Sequence, residues 1–157
     1  MSDKKFFLNK FLVEVFNEIL RIEEYSLNQS EFNDLSVKEM HVLEAVSICS
    51  ETNNNTAQQV AEYLGIVPGT LSVSVNAISR KGYLQRIKNE QDKRVVFLEL
   101  TEKGTKANNA HTYFHNKMVE QVLEILSPEE ASVFCKGLGS VAAFFKSEQI
   151  KYQEKNK

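Results

Sequence analysis

Residues 68–79 read Pro-Gly-Thr-Leu-Ser-Val-Ser-Val-Asn-Ala-Ile-Ser, a helix-length run without one charged side chain in a protein that is 25% charged. An exposed helix normally carries Glu and Lys on its outer face for solvation. An uncharged one is either buried all round or kept bare so that something large can approach it. Pro68 suits a first helical turn, where its missing N–H is not needed, and Gly82 is a suitable stop. With Leu71 at 0° on a helical wheel, Val75 falls near about 40° and Ile78 near about −20°, which makes one core face. The opposite face carries Gly69, Thr70, Ser72, Val73, Asn76, Ala77 and Arg80. These are small, hydroxyl, amide and single cationic groups, the surface a helix needs to enter the DNA major groove.

The flanking segments complete a pattern. Upstream, Thr56-Ala57-Gln58-Gln59 is a capping box that opens a short helix ending at Gly65. Downstream, residues 83–88 and 95–100 are β-rich and joined by Asn89-Glu90-Gln91-Asp92, a hairpin. Short helix, tight turn, second helix and basic hairpin together form a winged helix-turn-helix unit. Arg86, Lys88, Lys93 and Arg94 cluster on the hairpin. Asp92 and Arg94 point the same way on an extended segment, so the carboxylate can orient the guanidinium for a minor groove.

The rest of the chain is helical. Leu8, Phe11, Leu12, Val15, Phe16, Ile19 and Leu20 make one apolar face of a long first helix. Ser36-Val37-Lys38-Glu39 caps a second, with Val37, Met40, Leu43 and Val46 inward. Thr101 caps a fifth helix carrying Phe114, Met118, Val122 and Ile125 in register. Ser127-Pro128-Glu129-Glu130 restarts a sixth, and a disordered tail is expected after about Ser147. The fold class is mainly α with a small two-stranded β-wing.

Net charge is −2 over 157 residues, which alone argues against nucleic acid. Its distribution argues the other way: residues 1–65 carry five Lys/Arg against eleven Asp/Glu, and residues 66–104 carry seven against four. The basic segment coincides with the winged unit. No signal core or membrane span is legible, so the expected location is cytoplasmic, with no membrane partner. Two cysteines, Cys49 and Cys135, suggest buried thiols rather than a disulfide framework. No nucleophile elbow, phosphate loop or paired-carboxylate arrangement points to an enzyme. His111 and His115 have a chelating spacing and His41 lies on the second helix, but no further ligand is evident nearby in sequence; no metal and no cofactor are expected.

Lys81-Gly82-Tyr83-Leu84, Asp92-Lys93-Arg94 and Leu100-Thr101-Glu102-Lys103-Gly104 resemble the MarR family of transcriptional regulators from wing entry to wing exit. The resemblance implies one MarR-type domain over residues 1–157. Residues 1–35 and 102–148 would dimerise, 36–101 would form the DNA-binding unit, and 149–157 would be a tail. It further implies a homodimer on a near-palindromic double-stranded operator, with Arg94 in the minor groove. The DNA-binding residues expected are Thr70, Ser72, Val73, Asn76, Arg80, Arg86, Lys88, Asp92, Lys93 and Arg94. More narrowly, Ile22-Glu23-Glu24, Ser36-Val37-Lys38-Glu39-Met40-His41 and Met118-Val119-Glu120 are similar to the branch of fatty-acid-synthesis repressors in streptococci and enterococci. That branch implies repression of type II fatty-acid synthesis genes, with long-chain acyl–acyl carrier protein as corepressor and partner. Phe11, Phe16, Met40, Phe114 and Met118 are then the candidate ligand-binding residues, although such apolar stripes equally serve as core or dimer interface. The alternatives are a MarR-type repressor answering to another small molecule or zinc, and a helical interaction module without DNA binding.

Overall fold

Several helices begin where a side chain replaces the backbone partner that the first turn lacks. Ser36 accepts from the Glu39 N–H while the Glu39 side chain takes the Ser36 N–H, and Thr56 and Gln59 repeat the arrangement. In the computed structural model, which describes residues 3–89, 92 and 95–155, the elements are α1 (Asp3–Asn28), α2 (Val37–Glu51), α3 (Ala57–Leu64), α4 (Pro68–Arg80), β1 (Leu84–Lys88), β2 (Val96–Leu100), α5 (Glu102–Glu124) and α6 (Pro128–Lys155). The order is the one the sequence predicts. None of these helices is long and apolar enough to cross a membrane.

The chain forms two compact units, residues 1–112 and 113–157. In the first, Leu43 and Val46 of α2, Val60 of α3, Leu71, Val75 and Ile78 of α4, Tyr83 and Leu98 are fully buried. The α4 wheel is therefore oriented as its three apolar positions require. α2 is covered more widely than the expected stripe: Val42, Ala45 and Cys49 are buried beside Met40, Leu43 and Val46, while Val37 is only half-buried. A helix in the middle of a core meets neighbours on several faces, so its apolar residues need not keep one stripe.

The wing is an antiparallel pair, Leu84 opposite Leu100 and Lys88 opposite Val96. A short bridge between Thr56 and Phe97 extends it. Asn55 fixes that bridge: its side-chain amide donates to the Leu98 carbonyl at 2.9 Å, and the Leu98 N–H donates to the Asn55 carbonyl at 2.8 Å. The Asn55 amide matches a backbone edge, a pairing that local sequence pattern does not encode.

The base of the wing is tied to both of its neighbours. Gly82 takes φ 82°, a backbone conformation suited to glycine. The Thr101 hydroxyl donates to the Gly82 carbonyl at 2.7 Å and accepts from the Gly104 N–H at 3.1 Å, so one side chain caps α5 and closes the strand entry. Lys103 reaches the Lys81 carbonyl at 3.2 Å and lies 3.8 Å above the Tyr83 ring. Gly104 is required by contact: a Cβ there would stand 2.0 Å from the Tyr83 carbonyl oxygen.

The second unit consists of the end of α5 and α6. Ser127 and Glu130 form a reciprocal cap at its restart, with bonds of 2.9 and 3.2 Å. None of the described residues of α6 is buried, and Val133, Phe134, Leu138, Phe144 and Phe145 are exposed in the single chain. Cys135 is exposed too, contrary to the expectation of two buried thiols; Cys49 is buried. α6 also continues to Lys155 rather than ending near Ser147. Residues 148–151 are good helix formers, and Lys151 pairs with Glu148 at 2.6 Å.

Gly104→Ala should destabilise the first unit by about 1–3 kcal/mol, since backbone rather than a mobile side chain must give way. Urea unfolding measures it; an unchanged midpoint would show that α5 can slide away from Tyr83.

Candidate nucleic-acid interface

The turn between α3 and α4 is built by Gly65, at φ 66°, whose N–H closes onto α3. The Ile66 N–H follows onto the Ala61 carbonyl at 3.0 Å, which sets the angle at which the chain leaves α3. Pro68 then starts α4, and no side chain caps its N-terminus. First-turn amides and the positive end of the helix dipole are favourable there for a phosphate. Thr70, Ser72, Val73, Asn76 and Arg80 all lie on the exposed face, Val73 at 71% exposure, and Ala77 is half-buried.

Arg86 on β1 joins the wing to this face. Its guanidinium donates to Asn76 Oδ1 at 2.8 Å, and Arg80 Nε donates to the Asn76 carbonyl at 3.4 Å. An arginine can only donate, so Oδ1 must face Arg86, which sets the plane of the amide. Oδ1 keeps a second lone pair, so Asn76 can still offer acceptor and donor together to an adenine edge. The tie between Arg86 and Asn76 was not evident in the sequence, where they are ten residues apart on different elements. Lys88 is exposed at the end of β1 and Asp92 is exposed in the turn. The Asp92 N–H donates to Asn89 Oδ1 at 3.3 Å, and the Asn89 N–H donates to the Val95 carbonyl at 3.0 Å. Lys93 and Arg94, and with them the expected Asp92–Arg94 pairing, lie outside the described residues.

Two contacts to carboxylates, one an ion pair and one a hydrogen bond, hold α4 and the wing from behind. Lys81, the C-cap of α4, reaches both oxygens of Glu39 at 2.7 and 2.8 Å. Burial pushes the Glu39 carboxyl up, but Lys81 and the Ser36 cap outweigh it and hold the group below its ordinary range. The Tyr83 hydroxyl donates to Asp34. Burial likewise opposes ionisation of Asp34, yet the Tyr83 bond and the Lys103 ammonium keep its carboxyl low. Burial and the Asp34 carboxylate in turn drive Tyr83 far above the usual phenol range.

Between α1 and α2 lies a cavity of about 700 Å³. Phe16, Leu20, Leu27, Leu35 and Val37 supply its apolar lining, and Lys38 and Lys81 are its cations. Of the candidate ligand residues only Phe16 lines it. Met40 is buried in the core and Phe11 is half-buried on α1, while Phe114 and Met118 belong to the second unit. Leu20 has the helical register of Phe16 and was legible as part of the α1 stripe; Leu35 and Lys81 come from other segments and were not.

The sequence pattern of the family described as "Transcriptional regulator SarA/Rot" matches residues 23–110, more than half of the chain. The protein belongs to this family of winged-helix, MarR-type regulators. Streptococcus pneumoniae FabT, solved in complex with DNA, is similar at 39% identity and TM-score 0.83, over 89% of this chain and 96% of FabT. Staphylococcus aureus MepR in its DNA complex shares the fold at TM-score 0.73 and 20% identity, over 87% of this chain and 95% of MepR. The uncharacterized HTH-type transcriptional regulator YkoM of Bacillus subtilis is 27% identical over 109 residues, 69% of each chain. This MarR-type protein is thus a DNA-binding transcriptional regulator and not an enzyme.

In this regulator Asp34 and Glu39 contribute stability only while ionised. Their ordinary values are 3.8 and 4.5 and both are lowered by folding. The contribution is complete above those values and is lost as pH falls through the folded ones. Tyr83→Phe should therefore be less stable than wild type at neutral pH, with the gap narrowing below about pH 4. Urea midpoints across that range measure it, and a gap independent of pH would mean that Tyr83 acts through packing alone.

Proposed function

We propose that the protein is a cytoplasmic, homodimeric repressor that reads a near-palindromic operator with α4 in the major groove and the wing beside it. The observation that carries this reading is the exposed face of α4. It offers hydroxyls, an amide and one guanidinium, carries no carboxylate, and is braced by Arg86 from the wing. FabT and MepR, both solved with DNA, support it. The dimer reading is supported by α1 and α6, whose Phe6, Phe7, Val13, Phe16, Val133, Phe144 and Phe145 are exposed in one chain. A second copy is the partner that would cover such faces and set two recognition helices about 34 Å apart, one DNA turn.

Titration of a labelled operator by fluorescence anisotropy tests the reading. Two chains should bind per full site. Arg94→Ala should weaken operator binding strongly and Asp92→Ala less. Lys88→Ala should weaken all sequences alike and reduce the slope of log K against log salt by about one. Asn76→Ala should relax discrimination by about 1–3 kcal/mol. One chain per site, or unchanged affinity in Arg94→Ala, would overturn it.

The genes controlled are, on this reading, those of type II fatty-acid synthesis, with long-chain acyl–acyl carrier protein as corepressor. The similarity to FabT at 39% identity supports it, together with the branch-like segments around Glu23, Met40 and Met118. The cavity between α1 and α2 has an apolar lining suited to an acyl chain, from Phe16, Leu20, Leu27, Leu35 and Val37, with Lys38 and the carboxylates Glu24, Asp34 and Glu39 around it. Allosteric coupling of about 1–3 kcal/mol would tighten operator binding roughly 5–150-fold. Filling the cavity with Leu20→Trp should abolish that gain and leave basal DNA binding unchanged. Operator affinity that ignores saturating long-chain acyl carrier would refute the fatty-acid role and leave the DNA reading standing.

A further inference from the structure

Asn76 carries on the exposed face of α4 an amide whose two ends differ in kind, Oδ1 an acceptor and Nδ2 a donor. A half-turn about its last bond exchanges the two ends with almost no change of shape. On an open surface an amide has both orientations available to it. Here the two are not equivalent, because the Arg86 guanidinium donates to Oδ1 at 2.8 Å. The flipped orientation would turn Nδ2 toward a group that has donors only, and would give up a charge-assisted bond.

The strand, rather than the amide, decides where Arg86 stands. Residues two apart on a strand share a face. Leu84 is buried, Arg86 follows it on the same face, and Leu98 opposite Arg86 is fully buried. The guanidinium therefore leaves the wing on its inner side, where β1 lies against α4. Arg80 does not share this task. Its Nε donates to the backbone carbonyl of Asn76 at 3.4 Å, back along the helix.

We propose that Arg86 is a positioning residue for base reading: by holding the Asn76 amide in one orientation it makes α4 prefer adenine over the keto bases at one operator position, an assignment that rests on the operator reading of α4. In the major groove adenine presents an amino donor where guanine and thymine present a carbonyl acceptor. With Oδ1 toward that place, its second lone pair accepts from the adenine amino group while Nδ2 donates to N7. Against thymine O4 or guanine O6 the same orientation sets acceptor against acceptor. An unrestrained amide escapes that conflict by flipping; an amide tied to Arg86 flips only by breaking the tie. Rejection of the wrong base is thus exerted from the wing, ten residues away from the side chain that touches the base.

Selection of a randomised duplex pool on the full-length protein, followed by anisotropy titrations of the selected site with each base pair replaced in turn, tests the assignment. Asn76→Ala marks the position, as the one where the preference for adenine falls. At that position Arg86→Met should lower the adenine-over-thymine and adenine-over-guanine ratios at least about fivefold. In the Asn76→Ala background the same substitution should change those ratios no further, since no amide is left to hold. Arg86→Lys, which also only donates, should keep part of the preference. Arg86 is exposed, so its variants should remain folded by circular dichroism. An unchanged profile in Arg86→Met, with all sequences weakened alike and a smaller slope of log K against log salt, would make Arg86 a phosphate contact and overturn the proposal. Equal effects of Arg86→Met with and without Asn76 would overturn it as well, making Arg86 a reader in its own right. A pool that yields no preferred site would overturn the operator reading itself, and this assignment with it.

Discussion

Tyr83 is the residue on which the DNA-binding unit depends, because its backbone and ring join segments that have no other reason to meet. Its N–H closes the end of α4 on the Ile78 carbonyl at 3.2 Å, and its own carbonyl takes the Thr101 N–H at 3.1 Å. The ring is fully buried, packs edge-on to Phe32 at 6.3 Å between centroids and lies under Lys103. The hydroxyl ends on Asp34. The fourth helix, wing and fifth helix are thereby fixed to one residue. Lys81-Gly82-Tyr83-Leu84 and Leu100-Thr101-Glu102-Lys103-Gly104, two of the three segments that resemble the MarR family, are the two halves of this joint. The motif is therefore architectural at its centre: it fixes the angle between wing and α4, and DNA contact follows from that angle.

That constraint explains which parts of the fold were legible. Caps, turns and amphipathic stripes are local, so Ser36, Thr56, Gly65, Pro68 and Ser127 announced their helices, and Leu71, Val75 and Ile78 announced the buried face of α4. Pairings between distant segments were not legible. Arg86 with Asn76, Asn55 with the Leu98 backbone, and Glu23 with His41 and His111 join residues whose sequence separations carry no period. The cavity shows the same division. Phe16 could be named from its stripe, whereas Leu35 and Lys81 enter from segments that no helical wheel connects to it. Met40, expected inward on the second helix, is buried in the core and does not line the cavity.

The electrostatics follow a similar logic of placement over total. A net charge of −2 does not prevent DNA binding, because screening at physiological salt limits each charge to about 8 Å. On the proposed reading, the phosphates meet the basic stretch of residues 80–94. Two acidic groups behind the interface are committed, Glu39 to Lys81 and Asp34 to Tyr83, while Asp92 and Glu99 lie on the wing itself. Lys81 therefore serves α2 rather than DNA, and Arg86 braces Asn76 while remaining exposed enough to reach a phosphate or base.

α1 is the element on which regulation can act. Its 26 residues bury little within one chain: Glu23 is buried, and the apolar stripe from Leu8 to Phe16 is mostly exposed. Within one chain few contacts fix its position relative to α2, so in the proposed dimer that position is set by the partner copy as well as by α2. A ligand shifts that position only to the extent that it binds one arrangement better. The cavity between α1 and α2 and the Glu23–His41 contact both lie at this junction, and His41 lines the first while making the second. Anything that fills the cavity therefore acts on this junction. The junction reaches the DNA surface by a short route: α2 begins at the Ser36–Glu39 cap, Glu39 holds Lys81, and Lys81 ends α4. The Glu39–Lys81 step is a contact between half-buried groups, so a displacement of α2 at its N-terminus is passed to the end of α4.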